Sequence, residues 1–260
     1  MGTATFQGQL WGIRARDWAE VQEGISAPLF EEIINKTAVE TNTALLDVGC
    51  GSGGLCQMAV KYGAEVSGLD AAEPLLAIAR ERVPQGDFRV GEMEELPYAN
   101  QTFDIITGIN AFQFAANPVN AFKEARRVAR KGGSLVIAVF GRPEDTEATA
   151  YFAALASLLP PPAPGRPGPF SLSLDGTLVA TVRQAGMDPG EAEWFDWLWR
   201  YPDESTLLRG LLSSAPSNWA IQRAGEDAVR EAILKALAPF KMGSGGYQLR
   251  NKIRIMIVKT

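Results

Sequence analysis

Residues 47–54 read Asp-Val-Gly-Cys-Gly-Ser-Gly-Gly, a glycine-rich loop entered through an acid. Glycines at this density let backbone approach a ligand closely where a strand turns into a helix. Gly49, Gly51 and Gly54 also satisfy the G-x-G-x-x-G spacing of dinucleotide binding, and Asp70 lies near the distance expected of an acid that holds ribose hydroxyls. Two chemistries therefore compete for this loop, a pyrophosphate-bearing nicotinamide cofactor and a cationic one.

Charge separates them. Asp47 stands two residues before the first glycine, and no Lys or Arg falls between Asp47 and Val60. A phosphate about 4 Å from a carboxylate is repelled by roughly 4 kcal/mol at an effective dielectric of about 20. S-adenosylmethionine carries a sulfonium and an ammonium but no phosphate, so an acidic site attracts it. Its carboxylate would use amides at the helix N-terminus. Further acids follow at Asp70 and Glu92, one per unit of strand and helix, and a doubly wound sheet would bring all three to one crevice. Taken singly, Asp70 also reads as a helix N-cap and Glu92 as a solvated loop acid.

The elements that must position these residues alternate. Strands are predicted at 44–48, 65–69, 87–90, 103–108 and 135–140, with helices at 55–62, 74–82 and 118–129 closed by Gly132-Gly133. Such alternation implies parallel strands joined by right-handed crossovers, an α/β Rossmann-like sheet. After Gly141 the pattern changes. Helices are expected at 144–159, 176–184, 203–212 and 227–237, an aromatic strand at 192–199, and a final alternating strand at 249–258. The proline-rich run 160–169 excludes helix and central strand.

With these motifs in order, the chain resembles class I S-adenosylmethionine-dependent methyltransferases, especially the ubiquinone/menaquinone methyltransferase-like (type 11) group. Leu45 to Gly54 resembles the family's first motif, and Val66-Ser-Gly-Leu-Asp70 its second. Gly91-Glu-Met-Glu-Glu-Leu-Pro-Tyr98, Phe103 to Asn110 and Lys131 to Val136 resemble the later ones. The resemblance covers about 42–140. It implies a seven-stranded sheet whose antiparallel last strand, about 248–259, inserts beside the sixth. It also implies a single domain over 1–260, in which segment 1–41 and an insertion of about 142–240 form a helical and aromatic substrate cap.

The resemblance further implies the roles of individual residues. Gly49, Gly51 and Gly53 would approach the methionyl part, with Cys50 a small packed residue among them. Asp47 would support the loop and the ammonium, and Asp70 would accept the ribose hydroxyls with Ala71 beside the adenine. Glu92, where the family has Asp, would face the adenine amino group, with Met93 as an apolar wall. Ile109 and Asn110 would offer carbonyls. The product would be S-adenosylhomocysteine.

None of the six tryptophans lies between residues 42 and 140. Packing is the plain reading for Trp194 and Trp197. Trp11, Trp18 and Phe112 are expected at a small hydrophobic or aromatic acceptor, where an aromatic lid would exclude water. The chain has no histidine, which removes His-based bases and metal sites, and two cysteines make no zinc site, so no metal is expected. Asp17, Glu144 and Tyr151 are the candidate bases, with no geometry to choose among them. A net charge of −5 opposes a nucleic-acid partner. The absence of a long apolar run or a signal segment points to a cytoplasmic protein without membrane insertion. Three other readings stand beside methyl transfer: a methyltransferase-fold enzyme with another reaction such as a cyclisation, an NAD(P)-dependent oxidoreductase, and a binding protein with a relic site.

Overall fold

A computed structural model describes residues 2–161 and 167–260. Seven strands form one sheet in the order β3-β2-β1-β4-β5-β7-β6. They are β1 (Ala44–Val48), β2 (Glu65–Asp70), β3 (Asp87–Val90), β4 (Phe103–Ile109), β5 (Ala129–Phe140), β6 (Ala192–Tyr201) and β7 (Tyr247–Lys259). The first five run parallel. β7 lies between β5 and β6 and is antiparallel to both. The strand order reverses between β1 and β4, which puts the crevice outside the carboxyl ends of those two strands.

Eleven helices are described: α1 (Ala4–Trp11), α2 (Ala15–Asp17), α3 (Ala27–Thr37), α4 (Gly54–Val60), α5 (Glu73–Arg82), α6 (Pro118–Val128), α7 (Thr149–Ser157), α8 (Thr177–Gln184), α9 (Glu204–Leu212), α10 (Ala215–Ala224) and α11 (Glu226–Leu237). Periodic burial explains the crossover helices. In α6, Ala121, Phe122, Ala125 and Val128 are buried, and Asn117 caps the helix by accepting from Val119 N. Two buried apolar clusters lie on the two faces of the sheet. One is built around Leu29, Ile33, Leu45 and Leu55, the other around Leu46, Phe122, Leu135 and Val258.

Three sequence expectations change. The helix before Gly132 ends at Val128, and β5 already begins at Ala129, so the two glycines lie inside a strand. Arg130 and Lys131 thus sit on that strand instead of a helix end, and Arg130 pairs with Asp104 at 2.7 Å. The helix expected from Glu144 starts at Thr149, after a tight turn at Pro143–Asp145. α10 was not foreseen: its burial comes from packing against α1, α7 and α11, and no apolar period announces it. The proline run is described only at 160, 161 and 167–169, so its middle lies outside the described residues. Among the described residues no helix is long and apolar enough to cross a membrane.

Candidate functional site

β1 ends in a glycine loop whose N–H groups from Gly49 to Gly53 each have a fixed partner. Gly49 N and Cys50 N donate to Leu69 O, at 2.7 and 3.1 Å, and Gly53 N donates to Cys50 O at 2.9 Å. Gly51 N donates to Asp70 Oδ2 at 2.9 Å, and Ala72 N donates to Asp70 Oδ1 at 2.8 Å, so the acid at the end of β2 spans the loop and the start of α5. Gly51 is left-handed (φ +55°), and a Cβ there would lie 3.1 Å from Glu23 Oε1 and 3.3 Å from Trp18 Nε1. Only glycine fits that corner.

Asp47 is buried beneath the loop and accepts from Thr107 Oγ1 at 2.7 Å. Burial pushes its pKa up to about 7, opposed by the Thr107 bond and reinforced by Glu23 and Asp70. Asp70 is also raised by burial, against the pull of its backbone amides. Both cysteine thiols are buried and held well above their ordinary value, which fits inert packing residues.

An unforeseen residue completes the loop. Glu23, from the turn before α3, is buried and accepts from Ser52 N at 3.0 Å and from Ser52 Oγ at 2.7 Å. Arg82, at the end of α5, pairs with the same carboxylate and also donates to Ser52 O at 3.0 Å and Ala19 O at 2.8 Å. The place where a dinucleotide would set its pyrophosphate is therefore filled by the chain's own carboxylate. The reading of a loop without a nearby cation is also corrected, since Arg82 reaches it from another helix.

A cavity of about 1100 Å³, its open mouth included, lies over the carboxyl ends of β1, β2 and β4. One end is lined by Gly49, Gly51, Asp70, Ala71, Glu92 and Met93, joined by Ile109 and Asn110. The other end is aromatic, with Phe140, Tyr151, Phe152, Trp197 and Trp199 beside Leu211. α1 forms the roof. Ala4 N donates to Glu92 Oε2 at 2.9 Å, and Thr3 Oγ1 donates to Phe114 O at 2.7 Å. A Cβ on Gly8 would lie 2.1 Å from Ala71 O. Trp11 and Trp18 line the cavity and pack edge to face, ring centroids 4.8 Å apart.

Four sequence candidates stand back from the cavity lining: Asp47, Cys50, Gly53 and Phe112. The first three belong to the loop's support, Gly53 as the left-handed residue that opens α4. Phe112 is a correction. It is buried in the core against Phe122, with centroids 5.0 Å apart, and its neighbours Gln113 and Phe114 face the cavity instead. The candidate bases also change. Asp17 pairs with Arg209, and Glu144 lies 3.5 Å from Arg142, both outside the lining. Tyr151 does line the cavity, but its hydroxyl is bonded to Ser214 and Ser217, and burial pushes its pKa up to about 12.

The donor set fits an adenosyl sulfonium ligand. Carboxylates surround the loop, and three residues of the lining hold buried polar atoms with no partner: Trp18 Nε1, Gln113 Oε1 and Trp199 Nε1. Buried polar groups are rarely left unpaired unless something else meets them. Among the described residues no acidic, cysteine or histidine cluster could hold a metal ion.

Comparison with known proteins agrees with the fold. Residues 46–137 match the family described as "Methyltransferase domain". The chain is 26% identical over 197 residues to the ubiquinone biosynthesis O-methyltransferase of Ruegeria sp. (strain TM1040), covering 72% of this chain and 79% of that one. The YcgJ protein from Bacillus subtilis superposes with a TM-score of 0.60 at 18% identity, covering 88% of this chain and 97% of that one. The [4+2]-cyclase SpnF superposes with a TM-score of 0.57 at 21% identity, covering 90% and 81%. At these identities the two structures speak to fold alone.

Proposed function

Because the chain carries a class I S-adenosylmethionine-dependent methyltransferase domain, we propose that it methylates a small hydrophobic or aromatic acceptor, at oxygen, bound in the aromatic end of the cavity. The observation that carries this reading is the division of one cavity into two chemistries. Acids and glycine backbone occupy one end. Phe140, Phe152, Trp197 and Trp199 occupy the other, where among the described residues the only titratable side chain is the engaged Tyr151. The oxygen follows from the relative's name, an O-methyltransferase of ubiquinone biosynthesis.

S-adenosylmethionine supplies a methyl group already activated on a sulfonium. The chain's own residues hold and align. Each oxygen of Asp70 accepts one backbone amide and keeps lone pairs for the ribose hydroxyls. Ala71 and Met93 would flank the adenine, and Glu92, which holds α1 in place, would face its amino group. Asp47, behind the loop, supplies negative potential for the ammonium. The roof of α1, Trp11 and Trp18 excludes water, and alignment of the two ligands supplies much of the rate. Among the described residues, no side chain lining the acceptor end can take a proton at neutral pH. The acceptor therefore enters with a nucleophilic atom already available, as an ionised phenol or enol does. Segment 1–41 and residues 142–240 act together as the cap that selects this acceptor.

The test is incubation with isotopically labelled S-adenosylmethionine and a panel of hydrophobic phenols and enols, read by mass spectrometry. Transfer of the labelled methyl group supports the reading. Conversion of a substrate without change of mass favours the alternative of a methyltransferase-fold enzyme with another reaction, such as a cyclisation. Binding of NAD, with none of S-adenosylmethionine, overturns both.

A further inference from the structure

The amides of the glycine loop are already spent. Five consecutive N–H groups, Gly49 to Gly53, donate to Leu69 O, Leu69 O, Asp70, Glu23 and Cys50 O respectively. The loop thus offers none of these five amides to the carboxylate of S-adenosylmethionine. A carboxylate bound beside the loop would also meet the negative potential of Asp70 and Glu23, so it needs a donor from elsewhere.

We propose that the indole N–H of Trp18 binds the carboxylate of the bound S-adenosylmethionine. The proposal rests on the methyltransferase reading and names a residue of this chain for one part of its cofactor. Trp18 lines the cavity, its Nε1 is buried without a partner, and that atom lies 3.3 Å from where a Cβ on Gly51 would stand. The ring is held in place edge to face by Trp11. A neutral donor also suits the ligand better than a cation would. Lys or Arg here would bind the carboxylate but repel the ammonium and the sulfonium a few bonds away. An indole discriminates between them, and its unpaired state without ligand is relieved when the carboxylate arrives. Arg82 lies nearby, but its guanidinium is committed to Glu23, Ser52 O and Ala19 O.

The test is calorimetric titration of wild type and Trp18→Phe with S-adenosylmethionine and with its decarboxylated analogue, which keeps the sulfonium and the ammonium. Loss of a hydrogen bond to a charged group weakens binding by about tenfold or more. The expected result is that loss for S-adenosylmethionine, with the analogue's affinity unchanged. Equal losses for both ligands, or no loss for either, would overturn the assignment. A second measurement needs no loss-of-binding variant. In wild type labelled with ¹⁵N-tryptophan, S-adenosylmethionine must move one indole N–H resonance downfield and the decarboxylated analogue must leave it in place. Movement by both, or by neither, counts against Trp18. Failure of the wild type to bind either ligand is a separate result, which overturns the cofactor reading itself.

Discussion

Asp47 is the residue whose ionisation should be most visible in solution. Its pKa is higher in the folded chain, about 7, than the roughly 4 of an unfolded aspartate. The native state therefore binds its proton more tightly, and this group's contribution to stability falls as pH rises from about 4 to about 7. A cationic ligand favours the ionised form. S-adenosylmethionine affinity should accordingly rise with pH through about 7, with proton release seen by calorimetry in buffers of different ionisation enthalpy. Asp47→Asn should abolish that release. Arg82→Met leaves the buried Glu23 carboxylate unpaired. Because Arg82 is partly exposed, destabilisation should fall near the low end of the roughly 3–5 kcal/mol expected for a broken buried pair, read from urea midpoints. Most of the loop was legible at this scale because Gly49, Gly51 and Asp70 follow one another at short spacing. Glu23 and Arg82 were not, since they meet Ser52 across 29 and 30 residues with no local pattern to announce them.

At the scale of elements, α1 is held by contact with backbone, and that contact makes it testable. Gly8→Val would drive a side chain into the Ala71 carbonyl and lift the helix from its seat. Faster amide exchange over residues 4–11 and weaker S-adenosylhomocysteine binding should follow, with little change in the melting of the sheet. Tyr151→Phe in α7 removes a hydroxyl bonded to Ser214, Ser217 and Leu211 O. It should lower stability while leaving the pH dependence of turnover unchanged, because the phenol supplies no base. β1 to β4 and the apolar half of β5 were readable because short strand-like runs are bounded by turns and acids, whereas the polar start of β5 at 129–134 was not. α1 and α10 were not, because their burial arises from each other and from the roof they form. Phe112 was misplaced for a related reason. A one-residue difference in a tight turn decides which of Phe112, Gln113 and Phe114 faces the cavity.

The whole molecule places the site at the reversal of strand order, and the sheet reading carried that far. Where the chain closes over the site depends on contacts too distant in sequence to read. A ligand that binds only the folded state at 100 times its Kd adds about 2.7 kcal/mol of stability. S-adenosylhomocysteine at that excess should raise the melting temperature and slow exchange most strongly in residues 4–26, next to the cavity, and least in β7, which contributes nothing to its lining.

The roof has one more consequence. Residues 3 and 4 close on Phe114 and Glu92, and Leu10 O accepts from Asn218, 208 residues further along. These contacts span 88, 111 and 208 residues of chain. Such non-local closure is slow and comes late. A roof seated on Glu92, Phe114 and Asn218 thus forms only once residues from 92 to 218 are in place, so ligand binding reports on the packing of all of them together.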